Sequence, residues 1–99
     1  MASILVVDDD RNIRRMIVAT LEPAGHRVAE ADGAEQALET LARTGADLVI
    51  SDVRMAGMDG FKLLDEVKRL TPLTPVIMMT AFSSVPDAIE AITSVTISL

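Results

Sequence analysis

Short apolar runs alternate with stretches of helical period, and that alternation is the strongest constraint on how this chain folds. Ser3 to Val7, Arg27 to Ala31, Leu48 to Asp52 and Pro75 to Thr80 carry the extended pattern. Between them lie three helical stretches, Arg11 to Glu22, Gly33 to Thr44 and Gly60 to Leu70, and a fourth, Val85 to Ile92, follows. The first places Ile13, Met16, Ile17, Thr20 and Leu21 toward a core, and the second Ala34, Ala37, Leu38 and Leu41. The third does so with Phe61, Leu64, Val67 and Leu70. Pro23-Ala24-Gly25 and Gly45 stop the first two helices, Asp32 is placed to cap the second, and Pro86 fits the first turn of the fourth. Strict alternation of β and α predicts a parallel sheet covered on both faces, with right-handed crossovers. Arg27 to Ala31 is the most polar of the strands and suits a sheet edge.

Leu48-Val49-Ile50-Ser51-Asp52 is the centre of this pattern. Its unbroken apolar run predicts a strand buried on both faces, with Asp52 at its carboxyl end before a glycine-marked loop. In open parallel sheets that rim is where ligands bind. A second apolar run, Ile4-Leu5-Val6-Val7, ends in Asp8-Asp9-Asp10. If the two strands are parallel neighbours, several carboxylates share one small volume. At ~5 Å and an effective dielectric of ~20, each pair repels by roughly 3 kcal/mol. A hard divalent cation such as Mg2+, which prefers oxygen ligands, offsets that cost.

Ninety-nine residues make one small domain. A hydrophobic fraction of 49% argues for a folded globule. No apolar run approaches the ~20 residues of a membrane span, and the N-terminus enters a strand pattern directly, without a signal peptide. The absence of cysteine excludes a disulfide framework or thiolate metal site and fits the cytoplasm. With a net charge of −6 and only Phe61 and Phe82 as aromatics, the segment offers nucleic acid neither a basic nor a stacking surface.

Val7-Asp8-Asp9, Ser51-Asp52-Val53-Arg54-Met55 with Met58-Asp59-Gly60, and Met79-Thr80-Ala81 together resemble a two-component response-regulator receiver domain. The resemblance runs from about Ile4 to about Ile92, giving a receiver over residues 1–92 and an atypical tail over 93–99. It is most similar to receivers of sigma-54-dependent, NtrC-type activators. The resemblance implies a flavodoxin-like (CheY-like) doubly wound α/β sheet of order 2-1-3-4(-5). It also implies that Asp52 takes a phosphoryl group from a sensor histidine kinase. Asp9 and Asp52 would bind Mg2+ directly with the backbone carbonyl of Arg54, and Asp8 would reach it mainly through water. Thr80 would donate its hydroxyl to a phosphoryl oxygen, with the backbone of Ala81 beside it. Such a domain is a phosphoacceptor that assists its own phosphorylation and dephosphorylation, not a conventional enzyme.

Two departures qualify the resemblance. Ala56 stands where the family usually has proline. The family lysine at the end of the fifth strand has no counterpart, since the last lysine is Lys68. Thr93 to Leu99 alternates polar and apolar residues and either forms a short fifth strand or is disordered. The expectation is a C-terminally truncated or altered receiver that lacks the fifth helix and can pair with a copy of itself through the open edge. A second reading follows from the same departures: a receiver-like interaction or dimerisation module without working phospho-signalling. A Mg2+-dependent hydrolase using Asp52 ranks below both, because no further acid–base residue or cap accompanies the carboxylates. Asp10 suits a helix N-terminus better than a metal site. Met55, Met58, Met78 and Met79 suit core or rim packing. His26, Arg14, Arg15, Lys62, Lys68 and Arg69 suit solvated surface positions.

Overall fold

The computed structural model describes residues 2–52 and 60–79. Within them the chain runs β1 (Ser3–Val7), α1 (Arg11–Leu21), a 3-10 turn (Glu22–Ala24), β2 (Arg27–Ala31), α2 (Ala34–Thr44), β3 (Leu48–Asp52), α3 (Gly60–Leu70) and β4 (Val76–Met79). The strands form one parallel sheet of order β2-β1-β3-β4. β2 is an edge strand, as its polarity predicts. The expected helix Val85 to Ile92 and the tail Thr93 to Leu99 lie outside the described residues, as do Thr80, Phe82 and Pro86.

Side-chain alternation along the strands builds two apolar layers. Leu5, Val7 and Val49 pack with Ala34, Ala37 and Leu41 of α2 and with Leu63 and Val67 of α3. On the other face Ile4, Val6 and Ile50 pack with Ile17 and Leu21 of α1. β1 and β3 contribute to both layers, which explains their unbroken apolar runs.

Two of the predicted helix faces are corrected. Phe61 and Leu70 are 57% and 51% exposed, whereas Leu63 is fully buried. Steps of three residues each fall short of a full turn, so Phe61 and Leu70 lie about 180° apart around the helix. The buried face instead follows Gly60, Leu63 and Val67, with Leu64 partly buried. In α1 the face is centred on Ile13, Ile17 and Leu21, and Met16 and Thr20 flank it in solvent. Asp32 does not cap α2. Gly33 occupies the cap position, and Gln36 reaches back so that its Oε1 accepts from the Asp32 N–H at 2.8 Å. α1 ends one residue early, because Pro23 sits in the 3-10 turn and Gly25 closes it at φ 95°, a left-handed conformation suited to glycine.

Asp10 is the N-cap of α1. Its side chain accepts from the N–H groups of Asn12 at 2.8 Å and Ile13 at 3.3 Å. Asp10→Ala is expected to destabilise the fold by about 1 kcal/mol in urea unfolding, the usual worth of such a cap.

Candidate acidic site at the strand tips

The sheet register brings the acidic residues together. Val7 of β1 pairs with Ser51 of β3, so the residues that follow each, Asp8 and Asp52, leave the sheet side by side. This is the point where the strand order reverses, with β2 on one side of β1 and β3 on the other. One carboxylate oxygen from each of Asp8, Asp9 and Asp52 lies within 4.8 Å of the other two. The donor set is all oxygen and triply anionic when ionised, which fits a hard cation such as Mg2+.

The three carboxylates differ in setting. Asp8 is buried at 2% exposure, Asp9 is exposed and Asp52 is intermediate. Burial first, and then the charges of Asp52 and Asp9, together push the Asp8 carboxyl up to about 6, against the lowering hydrogen bond it accepts from the Asp10 N–H. The folded chain therefore carries an electrostatic strain that a bound cation would relieve.

Backbone and side-chain bonds fix the rim. The Asp8 N–H donates to the Ala31 carbonyl at 3.1 Å, continuing the β1–β2 ladder one residue past the strand. Asp8 Oδ1 accepts from the Asp10 N–H at 2.8 Å. Ser51, fully buried, donates its hydroxyl to the Asp52 carbonyl at 3.1 Å. Arg54, Thr80 and Ala81, which the family resemblance adds to the site, lie outside the described residues, as do Met55, Ala56 and Met58.

Two basic residues assigned to solvated faces are engaged instead. Arg14 is bonded to the Asp8 carbonyl and to Glu30. Lys68 donates to the Thr74 carbonyl at 2.7 Å and ties the end of α3 to the turn before β4. Neither contact has a local sequence signal, because each partner is brought close by a turn or by the sheet. His26 is part-buried, and its Nδ1 accepts from the Ala2 N–H at 3.2 Å.

Comparison with known proteins agrees with this geometry. The response regulator receiver domain family model matches residues 4–96. The chain belongs to the response-regulator receiver family. Its likeness is to NtrC-type, sigma-54 activator receivers. The receiver is 47% identical over 90 residues to the response regulator protein FleR of Pseudomonas aeruginosa, covering 91% of this chain and 19% of that protein. It is 49% identical over 89 residues to the transcriptional regulatory protein ZraR of Escherichia coli, covering 90% of this chain and 20% of that protein. The chain thus spans about a fifth of the length of these relatives.

Solved structures agree on the fold. The N-terminal domain of a response regulator receiver protein from Methanoculleus marisnigri superposes with a TM-score of 0.80 at 38% identity, over 92% of this chain and 76% of that one. The response regulator TrrA of Thermotoga maritima, in complex with Mg2+-BeF, superposes with a TM-score of 0.78 at 35% identity, over 84% of this chain and 72% of that one. The flavodoxin-like order is therefore established for β1 to β4. Among the described residues no helix is long and apolar enough to cross a membrane.

Proposed function

We propose that this receiver accepts a phosphoryl group on Asp52 from a sensor histidine kinase, with Mg2+ held by Asp8, Asp9, Asp52 and the Arg54 carbonyl. The carrying observation is the convergence of Asp8, Asp9 and Asp52 at the β1–β3 switch point of a receiver fold. A carboxylate oxygen of Asp52 attacks phosphorus, the bond from phosphorus to the kinase histidine nitrogen breaks, and an acyl phosphate remains. When bound, Mg2+ supplies neutralisation of the phosphoryl charge. The residues of this chain supply position: Asp52 at the end of a rigid buried strand, and Asp8 and Asp9 on the adjoining tip. By family resemblance, the Thr80 hydroxyl and the Ala81 backbone bond the phosphoryl oxygens and couple them to a population shift of the domain. Hydrolysis of the acyl phosphate by water resets the switch.

The phosphate-bearing domain would act in the cytoplasm within a transcription regulator, without itself contacting nucleic acid. The rival reading, an interaction module that no longer signals, and the proposed pairing of copies both rest on residues 80–99, outside those described. Nothing in the described residues favours that rival.

Incubation with acetyl phosphate and Mg2+ is expected to add one phosphoryl group in intact-mass spectra. Asp52→Asn and chelation by EDTA should each reduce that labelling below detection. Equal labelling of Asp52→Asn would show that another residue is the nucleophile.

A further inference from the structure

We propose that Arg14 is a positioning residue for the acidic pocket, holding the Asp8–Asp9 peptide so that both carboxylates face Asp52. The inference rests on the metal-binding reading given above and assigns a role to a residue outside the carboxylate set. The Arg14 side chain is only 14% exposed, although it belongs to a surface helix. Its Nη1 donates to the Asp8 carbonyl oxygen at 2.6 Å, and its Nε donates to Glu30 Oε1 at 3.2 Å. One planar guanidinium therefore bridges the tip of β1 to the edge strand β2.

The Asp8 carbonyl belongs to the peptide that leads into Asp9. Fixing that oxygen fixes the peptide plane, and with it the direction in which the Asp9 chain leaves. The other two ties on Asp8, from its N–H to Ala31 and from the Asp10 N–H to its carboxylate, act on other atoms of the residue. None of them replaces the bond to the carbonyl. Glu30 serves two ends here. It aims the guanidinium, and it pairs the positive charge, so that Arg14 acts on a nearby cation chiefly through geometry. Neighbouring Arg15 is a contrast: it is 63% exposed and lies 3.7 Å from Glu30 Oε2. A lysine at position 14 would keep the charge but lacks the rigid fork that reaches both partners.

The test is Mg2+ affinity, read from amide shifts in NMR titrations, since the chain has no tryptophan or tyrosine for intrinsic fluorescence. Arg14→Ala is expected to weaken Mg2+ binding about tenfold or more, the usual cost of losing a group that orients metal ligands. Arg14→Lys should fall between it and wild type, and Arg15→Ala should match wild type. Glu30→Ala should weaken binding in the wild-type background and have no further effect beside Arg14→Ala, because it acts through that residue. The same spectra report whether each variant is folded; if Arg14→Ala is not, the charge-preserving Arg14→Lys carries the comparison. Unchanged Mg2+ affinity in a folded Arg14→Ala or Arg14→Lys protein would overturn the inference, as would an additive effect of Glu30→Ala. A wild-type protein that takes up no Mg2+ would instead overturn the metal reading, and this inference with it.

Discussion

In metal-free buffer at pH 7, Asp8→Asn is expected to be more stable than wild type by up to about 3 kcal/mol, at about 1.4 kcal/mol per pH unit of displacement. The displacement runs from the ordinary 3.8 to about 6, and burial is its largest cause. Between those values the folded protein binds more protons than the unfolded chain, so wild-type stability falls as pH rises through the window. Below the lower value the contribution is fully present; above the upper one it is lost. Asn carries no such charge, yet its Oδ1 can still accept the 2.8 Å bond from the Asp10 N–H. The advantage of the variant should therefore open between about pH 4 and pH 6 and level off above. Saturating Mg2+ should reverse the order. The variant loses one of three anionic groups, whose interaction with a divalent ion is roughly 7 kcal/mol at ~5 Å and an effective dielectric of ~20, more than the cost removed. Urea unfolding with EDTA and with Mg2+, across that pH range, checks both signs. Equal stability of the two proteins without metal would show that Asp8 carries no burial cost.

Leu63→Ala is expected to destabilise the fold by about 2–5 kcal/mol, and Phe61→Ala by less than about 1 kcal/mol, although phenylalanine is the larger side chain. Leu63 is fully buried among Leu5, Val7, Val49 and Val67, so truncation leaves a cavity in the layer that joins α2 and α3 to the sheet. Phe61 is 57% exposed and loses little contact with the core. Paired urea titrations of the two variants measure the difference directly. A larger loss at Phe61 than at Leu63 would mean that α3 is rotated from the orientation described.

The alternation of extended and helical stretches determined the element order, and the apolar runs ending in Asp8 and Asp52 marked the strand tips. These features are local: strand burial, helix period and terminal carboxylates follow from neighbouring residues. Asp10 as a helix cap was legible for the same reason. The inward face of α3 was not, because phenylalanine and leucine at three-residue spacing satisfy a helical pattern while winding round the cylinder. Only packing against the sheet selects Gly60, Leu63 and Val67.

Arg14 was equally hidden. Its charge and helical position suit a solvated face, and Glu30 lies 16 residues away along the chain. What the amino-acid order determined by itself was that two acidic strand ends exist. What the tertiary structure decided was that β1 and β3 pair in a register that sets those ends together, and that an arginine from α1 ties the tip of β1 to β2 beside them. Hydrogen-bond register and helix rotation arise from contacts between distant segments, so no local pattern encodes them.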